Sequence, residues 1–143
     1  MKILVINGPN LNMLGLRDPD IYGQGSYSDL CSFIEKRAAA IGAEVDIYQS
    51  NHEGELIDMI LSACTDVPDG VIINAGAYTH YSYAIRDALE LLKCPVVEVH
   101  LSDIYNREDF RKVSVIKDVC CCQICGYGFE SYAKALDAIK DRV

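Results

Sequence analysis

Two short segments of the sequence carry side chains that can move protons. In "GLRDPDIYGQG", residues 15–25, Arg17 precedes Tyr22 by five positions. A tyrosine hydroxyl is a poor base at neutral pH, but a guanidinium a few ångströms away favours the phenolate. The glycines of the segment allow it to close over a site and exclude water. We therefore expect a lid that carries a base, with an ordinary solvated surface loop as the alternative.

The second segment is "EVH", in which Glu98 stands two residues before His100. Side chains two apart on a strand point to the same face, so Glu98 can accept a hydrogen bond from one imidazole nitrogen while the other faces a cleft. That pairing fixes the tautomer of the imidazole and makes it more basic. A structural histidine with satisfied hydrogen bonds is the alternative. With Tyr22 as base and His100 as acid, the expected chemistry is proton abstraction beside a carbonyl and protonation of a leaving group.

An alternating series of elements must position these side chains. Continuous apolar runs predict strands, and apolar residues at helical spacing predict helices. The predicted strands are "KILVIN" (2–7), "AEVDIYQ" (43–49), "GVIINAG" (70–76), "PVVEVHL" (95–101) and "VCCCQI" (119–124). The predicted helices are "SYSDLCSFIEKRAAAIG" (26–42), "GELIDMILSAC" (54–64), "SYAIRDALELL" (82–92) and "SYAKALDAIK" (131–140), with a short helical turn over "NREDFRK" (106–112). This alternation predicts an α/β protein with a flavodoxin-like three-layer fold and a five-stranded parallel sheet of order 2-1-3-4-5.

The sheet order also predicts where a ligand binds. Open parallel sheets bind ligands beyond the carboxyl ends of their strands, at the point where the strand order reverses. Asn10 follows the first predicted strand, Asn74 and His80 lie at or after the end of the third, and Ser102 follows His100 at the end of the fourth. We expect these polar side chains on one rim of the sheet.

Length and charge limit the classes of function. With 143 residues and 15.8 kDa, the chain is expected to form a single domain, residues 1–143, that includes the lid at 15–25. A net charge of -8 argues against nucleic-acid binding, so local arginines must attract any anionic substrate. Arg107 and Arg111 are four apart, which predicts one helical face from which either can clamp a carboxylate. No apolar run spans a membrane and no signal-peptide pattern is present, so a cytoplasmic location is expected.

Seven cysteines stand at apolar positions and do not form a disulfide framework, which favours a reducing compartment. Cys122 and Cys125 form one CxxC, but no second pair or nearby histidine completes a zinc site. We expect buried cysteines in the last strand, with metal or redox chemistry as the alternative.

His80, Arg86 and Asp87 near a helix start can serve an anion or form an ordinary solvated face. The signatures of a P-loop, a dinucleotide site and a Schiff-base lysine are absent.

Four blocks of the sequence together resemble the type II 3-dehydroquinate dehydratases, also called type II dehydroquinases. The blocks are "NGPNLNMLGLRDPDIYG", "QSNHEGELID", "NAGAYTHYSYAIRDAL" and "EVHLSDIYNREDFR", and they occur in the family's order over most of the chain. The resemblance implies an anti elimination of water from 3-dehydroquinate that gives 3-dehydroshikimate, in aromatic biosynthesis or quinate breakdown. It also implies no metal, no cofactor and no covalent intermediate. A flavodoxin-like module that binds a nucleotide or a flavin is the alternative, and an inactive assembly protein is a second one.

The resemblance assigns roles to the chemistry-bearing residues. Tyr22 on the lid is expected to abstract the proton next to the ketone, and Arg17 to favour its phenolate and stabilise developing charge. His100, oriented by Glu98, is expected to protonate the departing hydroxyl. The position of Asn10 is expected to hold a water that stabilises the enolate oxygen.

The resemblance also implies contacts to the substrate and between chains. The expected substrate contacts are Asn74, His80, the backbone amides of Leu101 and Ser102 near the carboxylate, and Arg111 at the ring hydroxyls. Asp87 is expected to reach the site of a neighbouring subunit, in trimers grouped into a dodecamer, with no nucleic-acid or membrane partner. Two positions depart from the family's pattern: Asp103 stands where Asn is commoner, and Ser131 where Gly is frequent. Asp103 puts a negative charge near the carboxylate-binding turn, so substrate affinity is the property it is expected to affect.

Overall fold

The computed structural model describes residues 1–143, and its elements alternate as the sequence predicts. The strands are β1 (Lys2–Asn7), β2 (Glu44–Gln49), β3 (Gly70–Asn74), β4 (Val96–His100) and β5 (Cys122–Cys125). The α-helices are α1 (Pro19–Tyr22), α2 (Tyr27–Ala40), α3 (Glu53–Ser62), α4 (Tyr83–Leu89) and α5 (Glu130–Lys140). Short 3-10 helices cover Leu11–Leu16, Gly76–His80, Ile104–Asn106, Asp109–Lys112 and Lys117–Val119.

The five strands form one parallel sheet in the order β2-β1-β3-β4-β5, so the predicted fold class and strand order are confirmed. The strand order reverses around β1, which lies between β2 and β3. Asn7, the last residue of β1, pairs in register with Asn74, the last residue of β3. The crevice expected at the switch point therefore opens beyond these two asparagines. No helix is both long and apolar enough to cross a membrane.

Two apolar layers cover the sheet, one on each face. Alternate residues of β1 supply both layers, because successive side chains of a strand point to opposite faces. Ile3 and Val5 pack with apolar residues of α2 and α5. Leu4 and Ile6 pack with apolar residues of α3 and α4. The strand is buried on both faces, which explains why it reads as a continuous apolar run.

Most element ends lie within two residues of the sequence prediction, and three parts of the chain differ by more. β5 begins at Cys122 rather than at 119, because Val119 and Cys120 pack against the α3/α4 side while the chain is still turning. α4 ends at Leu89 rather than at 92, since the amides of Leu91 and Leu92 bond back only three residues. The stretch 106–112 is divided between two 3-10 turns.

The division of 106–112 changes the geometry of its arginines. Arg107 is extended, with φ -121° and ψ -163°, and Arg111 belongs to the following turn. The prediction that the two share one helical face is therefore wrong.

The prediction of buried strand cysteines is also wrong. All seven cysteines are free thiols, and each is exposed or only partly buried. Cys120 and Cys121 precede β5, while Cys122 and Cys125 lie on it three residues apart. An odd separation on a strand directs two side chains to opposite faces, so this CxxC does not form a two-thiol site on one side of the sheet.

Candidate active site

A cleft lies at the carboxyl ends of β1, β3 and β4, where the sequence predicts the site. Its empty volume is about 590 Å³, part of it open to solvent, which suits a small ligand. Nine of the eleven site residues expected from the sequence line it: Asn10, Arg17, Tyr22, Asn74, His80, His100, Leu101, Ser102 and Arg111. Arg107, which the sequence offers only as an alternative to Arg111, lines it as well. Glu98 lies directly behind His100. Asp87 is exposed on α4 and does not line the cleft of its own chain.

The segment from Gly8 to Gly25 reaches the cleft as two short helices rather than as an irregular loop. At its start, the amide of Gly8 donates to the carbonyl of Asn74 at 2.7 Å. A Cβ at Gly8 would lie 2.6 Å from the carbonyl oxygen of Ala75, so only glycine allows this close approach. Helix α1 begins with Asp18 as its N-cap and Pro19 as its first residue, and it ends at Tyr22. The tyrosine is thus placed by a helix end.

Arg17 and Tyr22 contact each other at the wall of the cleft. A guanidinium N–H of Arg17 donates to the Tyr22 hydroxyl, and the guanidinium carbon lies 3.7 Å from the centre of the tyrosine ring. Burial lowers the pKa of Arg17, with the nearby charges of Arg107 and Arg111 acting in the same direction. The guanidinium therefore contacts both the hydroxyl and the ring of the tyrosine.

Glu98 holds His100 in one orientation. The carboxylate oxygen Oε1 lies 2.7 Å from His100 Nε2, as the two-residue spacing predicts, and this leaves Nδ1 for the cleft. Glu98 is fully buried, and Thr79 Oγ1 and Ser114 Oγ donate to the same oxygen at 2.7 and 2.8 Å. Burial alone would raise the pKa of Glu98, but the hydrogen bonds and charge of His100 and the two hydroxyls outweigh it and leave the pKa below its ordinary value. The carboxylate is therefore ionised at neutral pH.

His80 is fixed by a backbone carbonyl. Its Nδ1 lies 2.7 Å from the oxygen of Val113, which can only accept, so Nδ1 carries the proton. Burial lowers the pKa of His80, and the positive fields of His100 and Arg111 add to that effect. The neutral ring thus offers Nε2 as a hydrogen-bond acceptor.

Two further arginines make the cleft cationic within an acidic protein. Arg111 is held by Glu108, with Nε 2.8 Å from the carboxylate. Arg107 is more deeply placed: its side chain is 14% exposed, it donates to Ser102 Oγ at 3.3 Å, and its guanidinium carbon lies 5.1 Å from the Tyr22 ring centre. The residue spacing indicates that Arg107 and Arg111 are near each other but not which of them lies deeper in the cleft. The depth of Arg107 follows from its extended backbone, which the spacing does not predict.

The turn after β4 presents two backbone donors. The N–H groups of Leu101 and Ser102 make no hydrogen bond to another group of the protein, although both residues are buried. Adjacent unpaired N–H groups form a concave anion site. A carboxylate can therefore be bound here without a charged side chain in direct contact.

A parallel α/β sheet with paired proton donors and acceptors in a cationic cleft defines an enzyme for small anionic ligands. The family model for Dehydroquinase class II matches residues 1–140. The 3-dehydroquinate dehydratase of Clostridium acetobutylicum is 52% identical over 141 residues, covering 99% of this chain and 97% of that protein. The enzyme of the same name from Thermotoga maritima is 53% identical over 143 residues, covering 100% and 97%.

Solved structures agree. The crystal structure of type II dehydroquinase from Butyrivibrio crossotus superposes with a TM-score of 0.96 at 50% identity, covering 98% of this chain and 97% of that one. The chain belongs to the class II dehydroquinase family, and the prediction of an enzyme of this type is confirmed. The alternative of a nucleotide or flavin module is thereby set aside.

Proposed function

We propose that the protein removes water from 3-dehydroquinate to give 3-dehydroshikimate, a step of the shikimate pathway, with Tyr22 as base and His100 as acid. The observation that carries this proposal is that the Arg17–Tyr22 pair and the Glu98–His100 pair belong to one cleft. The named activity of the relatives supports the substrate.

The first step is proton abstraction by Tyr22. The cation of Arg17 favours the phenolate, which takes a proton from the carbon beside the ketone. The electron pair of the broken C–H bond moves into the carbonyl and forms an enolate. The side chain of Asn10 lines the cleft without a hydrogen bond to the protein, so it is free to hold the water that stabilises the enolate oxygen.

The second step is loss of the hydroxyl. His100 donates the proton on Nδ1 to the departing oxygen, the enolate collapses to the conjugated ketone, and the C–O bond breaks to release water. Glu98 stabilises the protonated imidazole before the transfer through the 2.7 Å contact with Nε2. Solvent exchange then moves the proton gained by Tyr22 back to His100, so the cycle needs no cofactor.

Charge and hydrogen-bond polarity orient the substrate. The free N–H groups of Leu101 and Ser102 receive the carboxylate, and Arg107 steadies this turn through the Ser102 hydroxyl. Asn74 and His80 contact the same end of the ligand, and Arg111 reaches the ring hydroxyls. The three arginines make the cleft attractive to an anion despite the net charge of -8.

Residues 15–25 act as the lid of a single catalytic domain formed by residues 1–143. The segment carries Arg17 and Tyr22 on short elements whose surroundings are largely exposed, which is suited to opening. Closure over the ligand excludes water while the phenolate acts.

Ultraviolet absorbance tests the proposed function, because dehydration conjugates a new double bond with the ketone. Purified protein with 3-dehydroquinate is expected to show a steady rise. Tyr22→Phe is expected to lower the rate by about 10²-fold, the usual scale for losing a general base. Tyr48→Phe, a half-exposed tyrosine on β2 outside the cleft, serves as the matched control and keeps the wild-type rate. No rise with the wild-type protein would refute the proposed reaction.

A further inference from the structure

A buried chain of polar side chains lies behind Asn74 and takes no part in the proposed chemistry. Tyr132 of α5 is fully buried, and its hydroxyl lies between two strand ends. Asn74 Nδ2 lies 3.0 Å from this hydroxyl, and the hydroxyl lies 2.6 Å from Asn7 Oδ1. Asn7 is also fully buried, and its Nδ2 lies 3.5 Å from the hydroxyl of Tyr27.

The direction of each hydrogen bond follows from one obligatory donor. The backbone N–H of Gly76 lies 3.2 Å from Asn74 Oδ1 and can only donate, so the amide oxygen of Asn74 must face it. The amide nitrogen of Asn74 must then face Tyr132 and donate to its hydroxyl. A hydroxyl has a single proton, and that of Tyr132 goes to Asn7 Oδ1. Burial raises the pKa of Tyr132, so the proton stays on the hydroxyl throughout the working pH range.

This direction determines what Asn74 offers to a ligand. Its oxygen accepts from Gly76 and one N–H donates to Tyr132, so the second N–H of the amide is the free donor, which has no partner in the protein. Asn74 lines the cleft and is 3% exposed, so a reversed amide would bury an unpaired N–H against the backbone donor. We call this series of hydrogen bonds, from Gly76 through Asn74 and Tyr132 to Asn7, the relay. The relay makes the reversed orientation of the Asn74 amide unfavourable.

We propose that Tyr132 and Asn7 are positioning residues that hold Asn74 as a hydrogen-bond donor, so that this part of the cleft selects an acceptor oxygen on the ligand. The inference rests on the proposed function for the identity of the ligand, and it adds two residues that never touch it. Loss of the Tyr132 hydroxyl leaves the amide of Asn74 with the Gly76 contact as its single anchor, and loss of Asn7 lets the Tyr132 proton turn towards Asn74 and compete with its donor. Either change weakens binding without altering the base or the acid.

The test compares Tyr132→Phe with Ser131→Ala by steady-state kinetics on 3-dehydroquinate. Tyr132→Phe removes only the hydroxyl and is expected to raise KM about tenfold, with kcat within about twofold of wild type. Ser131 is its buried neighbour on α5, and its hydroxyl accepts from the amide of Tyr127 away from Asn74. Ser131→Ala is therefore the matched control, expected to lower thermal stability and leave KM unchanged. Asn7→Leu removes the acceptor of the Tyr132 hydroxyl and is expected to raise KM as Tyr132→Phe does. If Tyr132→Phe does not fold, Asn7→Leu decides the question.

Several results would overturn the relay. The first is a KM within twofold of wild type in both Tyr132→Phe and Asn7→Leu. The second is a lowered kcat at unchanged KM in these variants. The third is a rise of KM in Ser131→Ala equal to that in Tyr132→Phe. An inactive wild-type protein would instead refute the proposed function. Crystal structures of wild type and Tyr132→Phe then test the relay alone: the Asn74 amide, held by Gly76 alone in the variant, is expected to rotate about that contact, and an unmoved amide contradicts the relay.

Discussion

At the scale of single residues, Glu98 shows how hydrogen bonds stabilise a charged side chain in the protein interior. Removing a carboxylate from water costs several kcal/mol unless partners replace the lost hydration. Here the replacement comes from His100, Thr79 and Ser114, all within 3.0 Å of its oxygens. The same contacts fix the imidazole, so one set of hydrogen bonds serves both stability and the acid of the proposed reaction.

The lowered pKa of Glu98 has a consequence for stability against pH. A carboxyl whose folded pKa lies below its ordinary value of 4.5 stabilises the fold fully above that pH and loses the contribution as pH falls towards the folded pKa. As the pH is lowered below about 4.5, urea unfolding of Glu98→Gln is therefore expected to show a smaller loss of stability than that of wild type. Glu130→Gln, an exposed glutamate without an ion pair, is the control and keeps the wild-type slope. Equal slopes for wild type and Glu98→Gln would contradict the assignment.

The sequence predicted the Glu98–His100 contact because strand periodicity is local. It could not predict Ser114, which stands 16 residues beyond Glu98, or the bond between Asn74 and Tyr132, which are 58 residues apart. Such contacts depend on how helices and turns pack over the sheet. Arg107 was visible as a candidate, but its depth in the cleft follows from its extended backbone.

At the scale of elements, the start of α2 anchors the end of the proposed lid. Ser26 Oγ accepts from the amide of Asp29, and the Asp29 carboxylate accepts from the amide of Ser26. This reciprocal capping box satisfies two amides that the helix itself leaves unpaired. The proposed lid, which precedes it, is therefore attached to a fixed helix start.

Ser26→Ala is expected to lower the free energy of unfolding by about 1 kcal/mol, because one of the two capping bonds is lost. The measurement is urea denaturation at neutral pH. Ser28→Ala, exposed in the same first turn and without a side-chain hydrogen bond, is expected to change stability by less than about 0.5 kcal/mol. Equal losses in the two variants would show that helix propensity rather than capping is responsible.

The sequence predicted the existence and order of the elements better than their ends. α2 was predictable at both ends, since Ser26 caps it and Gly42 follows it with a φ of +73°. The short helix α1 was missed although Asp18 and Pro19 are start signals, because four residues give no apolar period. The apolar run at 119–121 resembles a strand, yet packing draws it into a turn.

At the scale of the whole molecule, the exposed surface beside α4 is where we propose that other copies of the chain bind. Tyr81 and Tyr83 are 60% and 66% exposed next to Asp87, and large exposed aromatic residues of this kind mark interfaces. Since Asp87 does not line its own cleft, we propose that it completes the cleft of a neighbour in a dodecamer built from trimers. Light scattering is then expected to give twelve times the chain mass of 15.8 kDa.

Mixed assemblies test the position of Asp87. Asp87→Ala and Tyr22→Phe chains are each expected to have low activity. After unfolding and refolding together, about a quarter of the clefts combine an intact Tyr22 with an intact Asp87 from a neighbour, and activity returns to that extent. No recovery in mixtures that do assemble would mean that Asp87 acts within its own chain or not at all.

The division of labour between Tyr22 and His100 is tested most directly by hydrogen exchange into 3-dehydroquinate in deuterated water. His100→Ala retains the base, so it is expected to exchange the hydrogen beside the ketone while forming product about 10²-fold more slowly than wild type. Tyr22→Phe lacks the base and is expected to exchange no faster than the solution without protein. Exchange by Tyr22→Phe at the rate of His100→Ala would contradict the assignment of the base.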